Sequence, residues 1–402
     1  MPVKTLCIAG GRLQGIEAAY LARKAGYKTV LVDRRAKPPA STLVDNFKRL
    51  DVAKDKGRLK KAVEESDAVL PALEDEEALR VLEETCCQAG VPYLQDNSAF
   101  AVTSNKIQSQ SFFRKMGLPT PEIWPRCRLP VIVKPAHASG STSIYKVERI
   151  EELSQAVDAV LKTDREYLIQ EYVEGPSLSL EVLSWNGEGQ PLQVTGLEFD
   201  RTFGCKRVVA PCRLDSFLEE EIFEMGRRMA EGLNLSGLTD VQLILGPQGI
   251  RVIEMNARLP SQTPTVVYHS TGVNMVELLC SLFTQGNLRP VKIPDQKAVI
   301  YQHVKIEGKQ LTVTGEHSLS DAEGLRFEKN FMGADEAVTN LNPEGEAEGC
   351  VATLITVSRR LRDAKKKMEK SVNSLRHRYG LTGFSDPSPE GLRQKFYDEI
   401  DS

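Results

Sequence analysis

Val252-Ile253-Glu254-Met255-Asn256-Ala257-Arg258, preceded by Gly237-Leu238-Thr239-Asp240-Val241-Gln242, is the stretch on which the fold turns. Both segments read as strands. Side chains of one parity on a strand share a face, so Glu254, Asn256 and Arg258 point the same way, with Gln242 on the neighbouring strand. Oxygen ligands suit Mg²⁺ and a guanidinium suits phosphate oxygens. The pattern is that of a place where ATP is held for phosphoryl transfer, and the rest of the chain is tested against it.

Composition bounds the alternatives. The chain has 402 residues, 41% hydrophobic and 27% charged, ordinary for a globular protein of roughly two to three domains. A formal charge of −3 argues against a broad nucleic-acid surface. No apolar run is long enough to span a bilayer, and the N-terminus enters a strand without a signal-peptide pattern. The eight cysteines, Cys7, Cys86, Cys87, Cys127, Cys205, Cys212, Cys280 and Cys350, are scattered with no Cys-x-x-Cys. Vicinal Cys86-Cys87 lies in a helical run and reads as structural. A reducing, cytoplasmic setting is expected, with no nucleic-acid or membrane partner.

Residues 1–102 alternate strand and helix. Strands are expected at Thr5–Ala9, Lys28–Val32, Phe47–Leu50, Ser66–Leu70 and Val91–Leu94, with a helix from Leu13 to Ala25. Such repeats predict a parallel sheet with crossover helices. Ser104 to Met116 reads as a helix stopped by Gly117, and Pro130 to Lys134 as a strand. Strands dominate from about 166 to 212, a helix covers about 215–232, and the opening motif follows. Residues 297–357 read as several short strands, 358–379 as a charged helix, and Asp386 to Ser402 as an appended tail.

The remaining motifs each carry a functional and a plainer reading. Gly10-Gly11-Arg12-Leu13-Gln14-Gly15 follows the first strand, but Arg12 stands where a dinucleotide fingerprint needs its middle glycine, which argues against a nicotinamide enzyme. A small-ligand site at the strand ends would draw on Arg12, Asp33 and Asp51; the two aspartates equally suit caps or loops. Lys134 ends an apolar strand and suits phosphate neutralisation; Lys106 suits either that or a solvated helix face. Ala136-His137-Ala138-Ser139-Gly140-Ser141-Thr142-Ser143 is a small-residue loop able to cradle phosphates, although no Walker A sequence is present. Tyr167 to Gly175 ends in Glu171, Tyr172, Val173 and Glu174, which suit an adenine edge and a ribose, or simply an acidic turn. Glu181 shares a face with Ser179 and suits an amino group, or a solvated position. Arg258 to Pro264 suits the floor of a carboxylate pocket, or a helix entry. The five histidines are dispersed; His137 and His303 stand out by position.

Taken in order, these motifs resemble the ATP-grasp superfamily over about residues 1–380. The resemblance implies an α/β (α+β) ATP-grasp fold with an N-terminal Rossmann-like parallel-sheet domain at 1–102. A central ATP-grasp domain follows at 103–290 with a lid at about 117–168, then a small β-rich C-terminal domain at 291–385 and a tail at 386–402. The segment Gly237–Gln242 and Val252–Arg258 is similar to the carbamoyl-phosphate synthetase version. There the matching residues would make Gln242, Glu254 and Asn256 metal ligands, with Arg258 and Lys134 catalytic on the phosphates. Lys106, Lys134, His137, Ser139 and Ser141 would hold ATP phosphates, and Glu171, Tyr172, Val173 and Glu174 the adenosine. One departure is Ser177, two residues after the hinge glycine, where many members have a ribose-binding Glu.

Within the superfamily, Gly10–Leu21, Val30–Asp33, Glu171–Gly175, Ser179–Val182 and Pro260–Pro264 resemble the carboxylate–amine ligases of pyrrolysine biosynthesis. That resemblance implies ATP and Mg²⁺, with (3R)-3-methyl-D-ornithine and L-lysine as substrates. Ser179, Leu180, Glu181, Asp240, Arg258, Ser261, Gln262 and Thr263 would line the ornithine pocket. Arg12, Leu13, Asp33 and Asp51 would form an N-terminal site for lysine or a second nucleotide. Dimers are common in the superfamily, so a homodimer is allowed. The rivals are another ATP-grasp ligase or biotin-type carboxylase with different substrates, and a non-catalytic nucleotide-binding protein.

Overall fold

The computed structural model describes residues 3–137, 143–293, 296–342, 345 and 347–389. The N-terminal alternation folds into a four-stranded parallel sheet in the order Asn46–Arg49, Lys28–Asp33, Thr5–Ala9, Ala68–Pro71. Leu6, Ile8 and Leu31 are fully buried in it, as the near-continuous apolar runs of a covered parallel sheet require. The fifth strand expected at Val91–Leu94 does not form as an element. The segment is joined to Ala68–Pro71 only by a parallel bridge at Val69 and Tyr93, and Pro92 contributes a carbonyl to Val69 N but has no N–H for a ladder. The helix Leu13–Lys24 leaves the glycine turn at once. A Cβ at Gly15 would stand 2.2 Å from Gly10 O, so packing of turn against helix alone demands this glycine.

A small antiparallel sheet follows, ordered Tyr145–Val147, Val131–Pro135, Tyr167–Glu171. Val131, Val133 and Val147 pack with Val160 of the helix Leu153–Leu161 in a core of their own.

The large sheet has eleven strands. Its path runs Gly249–Asn256, Gly237–Gly246, Ser177–Trp185, Glu188–Phe199, Cys205–Ala210, Ala298–Glu307, Val351–Ser358, Glu336–Thr339 and Arg326–Lys329, each pair antiparallel. Because Cys205–Ala210 pairs with Ala298–Glu307, the sheet is continuous across the expected boundary at 290. One face of its first strands is covered by the helix Ser216–Gly232, through Ile222 and Met229 against Leu180, Val241 and Met255. The other face receives the helices Thr263–Thr271 and Met275–Gln285 and, from the N-terminal sheet, Leu13–Lys24. The helix Leu361–Arg378 covers the C-terminal strands.

The start of the expected tail is part of the fold. Lys206, 1% exposed, donates to Asp386 Oδ1 at 2.5 Å, Pro387 O at 2.7 Å and Ser388 Oγ at 3.0 Å. Arg207 reaches Asp386 Oδ2 at 2.6 Å. A register shift between Cys205 and Arg207 brings two consecutive side chains to one carboxylate. Among the described residues no helix is long and apolar enough to cross a membrane.

Candidate functional site

Three adjacent strands build the polar face that the opening motif predicts. The register sets Ser179 beside Gln242 and Gln242 beside Glu254; one step on, Glu181 is beside Asp240 and Asp240 beside Asn256. The alternating residues Leu180, Val241 and Met255 turn to the core under the helix Ser216–Gly232. Leu180, expected in a substrate pocket, therefore has the wrong parity for its side chain to reach that face; it is fully buried on the other one.

Asp240 is the hub of the face. Its Oδ1 accepts from Arg258 Nη1 at 2.6 Å, and its Oδ2 from Asn256 Nδ2 at 3.0 Å and, more loosely, from Gln242 Nε2 at 3.5 Å. Burial pushes the Asp240 carboxyl up, and the guanidinium of Arg258 opposes that shift. The amide N–H groups of Asn256 and Gln242 turn to Asp240, which leaves their oxygens as acceptors on the face that Glu254, the register partner of Gln242, shares. This donor set fits a hard divalent cation. The strand itself ends at Asn256. Arg258 lies two residues beyond, in a turn where its N–H meets Asn256 O, and still reaches the same face. Glu74 holds its other side, accepting from Arg258 Nε at 3.1 Å while also accepting from Gln14 at 2.7 Å.

The two lysines come to this face from above. Lys106 is the first residue of the helix Lys106–Lys115, capped by Asn105, and its N–H is bound by Ala136 O. Its ammonium is 3.4 Å from Glu254 Oε1. Lys134, 3% exposed on the middle strand of the small sheet, has its pKa lowered to about 8 by burial, with Glu254 raising it and Lys106 lowering it further. Two buried ammoniums facing one carboxylate form a pocket short of negative charge, as a polyphosphate site should be. His137 is fixed beside them: its N–H and ring are held by Asp164, and Asn105 contacts its Nε2 at 2.9 Å. Ser139 and Ser141 lie outside the described residues. On the hinge, Glu171 Oε2 accepts from Glu122 N, Tyr172 stacks under Lys146 at 4.4 Å, and Val173 packs by Gly246. Glu174 follows, and Gly175 comes so close to the large sheet that a Cβ would stand 2.1 Å from Leu245 O.

Beyond Asp240, on the same face, is a buried pocket around Glu181. Ser179 Oγ donates to Glu181 Oε1 at 2.7 Å, and burial pushes the Glu181 pKa up to about 8. Glu181 Oε2, Thr263 Oγ1 and Gln193 Oε1 are all buried without a well-formed hydrogen bond. Gln193 is the register partner of Glu181 on the far side. Buried polar atoms left unpaired in this way mark a place shaped for another polar group. The loop before the helix Thr263–Thr271 closes this region. Gln262 holds φ +75°, a strained value outside glycine. Its Nε2 and Ser261 Oγ both donate to Glu316 Oε2, at 2.5 and 3.0 Å. Glu17, buried in the first helix, accepts from Thr265 N at the helix start, and burial raises its pKa to about 7.

The N-terminal candidates are not drawn together by contacts of this kind. Asp33 accepts from Gly11 N at 2.8 Å and from Arg35 N at 2.7 Å. Asp51 accepts from Ala53 N. Asp33 thus ties the end of the second strand to the glycine turn before the first helix, while Asp51 closes a local turn. Arg12 turns outward to Asp321 at 3.4 Å, and Leu13 opens the first helix, packed against the core. Glu74, Glu17, Glu316 and Gln193 are the site residues that sequence reasoning missed. The three glutamates reach the site from elements distant in the chain, and Gln193 from the strand paired beside Glu181, with no local pattern to betray them. His303, singled out by position, is 1% exposed; its Nδ1 contacts Thr353 at 2.8 Å, and burial lowers its pKa to about 3.

Fold and site together define an ATP-grasp enzyme, and an ATP-grasp domain model matches residues 103–262. The chain is 36% identical over 322 residues to the 3-methyl-D-ornithine–L-lysine ligase of Methanosarcina acetivorans, covering 79% of this chain and 84% of that protein. It is 32% identical over 384 residues to the ligase of the same name from Methanosarcina mazei, covering 94% and 97%. In fold it is similar to the biotin carboxylase domain of the Hydrogenobacter thermophilus 2-oxoglutarate carboxylase, solved as a dimer with MgADP, ADP and bicarbonate. That likeness has a TM-score of 0.72 at 17% identity over 93% of this chain and 90% of the other. The chain belongs to the ATP-grasp carboxylate–amine ligases, in the family of the 3-methyl-D-ornithine–L-lysine ligases.

Proposed function

We propose that the protein joins the carboxylate of (3R)-3-methyl-D-ornithine to the ε-amine of L-lysine, with ATP and Mg²⁺, as a step of pyrrolysine biosynthesis. The observation that carries this reading is the adjacency in register of Asp240 and Glu181. The phosphate-and-cation group and an amine-accepting carboxylate are next to one another on a single face. A substrate whose ammonium meets Glu181 would extend its carboxylate toward Arg258 and the lysines.

A carboxylate resists attack by an amine because oxygen leaves poorly. Transfer of the γ-phosphoryl of ATP makes an acyl phosphate, whose phosphate leaves readily. Lys106, Lys134 and Arg258 would stabilise the charge developing on the transferred group. A divalent cation held by Gln242, Glu254 and Asn256 would supply neutralisation of the phosphate oxygens. Glu171 to Glu174 would hold the adenosine. Asp240 and Glu74 keep Arg258 aligned, and the loop 261–263, braced by Glu17 and Glu316, would wall the amino-acid pocket. The lysine amine then attacks the acyl carbon and phosphate departs.

Purified protein incubated with Mg-ATP, L-lysine and 3-methyl-D-ornithine tests this reading, with ADP followed together with the product mass. ADP release and an amide of the two amino acids, each dependent on both, is the expected result. ATP turnover with other carboxylates but not with these would overturn the substrate assignment and leave the class intact.

A further inference from the structure

A second polar cavity lies away from the face just described. Of the residues assigned to nucleotide, cation or substrate, only Glu171 and Tyr172 line it. Its volume is about 890 Å³, within the range of small-molecule sites. Four arginines line it, Arg114, Arg126, Arg128 and Arg251, against two carboxylates, Glu122 and Glu171.

Those carboxylates are already engaged. Glu171 Oε2 accepts from Glu122 N, and Glu122 pairs at 3.9 Å with Arg114. Arg251 is braced by Gln248 and Ile250 O. Arg126 and Arg128 are exposed and, among the described residues, make no ion pair or side-chain hydrogen bond. The four cations also come from two bodies. Cys127 and Leu129, interleaved with Arg126 and Arg128, pack on the core of the small sheet. Arg114 is on the helix Lys106–Lys115 and Arg251 on the edge strand of the large sheet. Like charges facing one another across such a cleft repel, and a guanidinium fork is shaped for carboxylate or phosphate.

We propose that this cleft binds a small polyanion, a phosphate or a dicarboxylate, which bridges Arg126 and Arg128 of the small-sheet body to Arg114 and Arg251 of the large-sheet body. The site is separate from that of the nucleotide phosphates, which would meet Lys106 and Lys134.

Calorimetric titration of inorganic phosphate, and in a second arm of succinate, into the full chain tests it. MgADP is kept saturating so that the nucleotide site is filled, and ionic strength is fixed with KCl. The nucleotide reading is checked separately by the heat of MgADP binding. Saturable binding is expected in one arm, which identifies the anion class. In the double variant Arg126→Ser/Arg128→Ser that binding should be at least about ten-fold weaker, since two charge-assisted partners are lost. The variant's melting temperature should match the parent's, because neither side chain makes an ion pair or hydrogen bond among the described residues. Absence of saturable binding in both arms, or equal binding in parent and variant, would overturn the proposal.

Discussion

Replacing Asp240 by Asn should damage turnover through its neighbours. Asp240 is 3% exposed and accepts from Arg258 at 2.6 Å and from Asn256 at 3.0 Å. Asparagine keeps the shape but removes the charge and turns one acceptor into a donor. Facing Arg258 it abolishes a charge-assisted hydrogen bond. Facing Asn256 it sets N–H against N–H and drives that amide to flip, which withdraws its oxygen from the cation position. A hydrogen bond to a charged group contributes about 1.5–3 kcal/mol. Taking about 2–3 kcal/mol, the loss in kcat is about 30- to 150-fold. The Mg²⁺ concentration needed for half-maximal rate should rise as well, because the ligand orientation is what fails. Steady-state ADP release at varied Mg²⁺ measures both. A variant with kcat within threefold of the parent and an unchanged Mg²⁺ requirement would refute the role of Asp240 as the residue that orients Asn256, Gln242 and Arg258.

Three further outcomes follow from the charges at the site. Lys134, with its pKa lowered to about 8 by burial, must be protonated to pair with phosphate, so nucleotide binding should take up a proton near that pH. Nucleotide affinity should weaken as pH rises above about 8, by up to ten-fold per unit, and Lys134→Arg should flatten the profile measured by calorimetry. Glu181 behaves in the opposite sense: raised to about 8, it must lose a proton to receive an ammonium. The KM for the ornithine-type substrate should therefore fall as pH rises from 6.5 to 8, and Glu181→Gln should remove that slope while leaving the KM for ATP nearly unchanged. Asp386→Ala should cost about 3 kcal/mol in urea unfolding, the low end for a broken buried pair, since Lys206 is 1% exposed while the Asp386 side chain is 31% exposed. The Asp386 carboxyl is held low, with burial opposing and Arg207 and Lys206 prevailing. Its contribution is present above the ordinary carboxylate range and vanishes as pH falls through its lowered pKa; a loss under 1 kcal/mol at pH 7 would show the strap to be ornamental.

Glu254, Asn256 and Gln242 were legible in the sequence because strand parity is a local rule, and antiparallel pairing then sets them side by side. Lys134 was legible for the same reason, as a charge closing an apolar strand. At Leu180 the same parity rule turns the side chain to the core, away from the face that Glu181 shares. Val91–Leu94 failed as a strand because Pro92 removes a donor that the apolar pattern does not register. Asp33 and Asp51 show another limit: a carboxylate after a strand reads identically in sequence whatever it accepts from, and the backbone N–H groups these two accept from carry no sequence signal. Glu17, Glu74 and Glu316 were invisible, since each acts on a residue more than fifty positions away. The continuity of the large sheet across residue 290 was hidden too, for the pairing of Cys205–Ala210 with Ala298–Glu307 closes over three helices and two strands.

The most direct test of the central claim is oxygen transfer from carboxylate to phosphate. 3-Methyl-D-ornithine labelled with ¹⁸O in its carboxylate is turned over with L-lysine and Mg-ATP, and the released phosphate is weighed by mass spectrometry. An acyl phosphate formed on this site predicts one ¹⁸O in each phosphate released. Amide formation with unlabelled phosphate would contradict carboxylate activation by phosphoryl transfer, and with it the account of the Asp240 face.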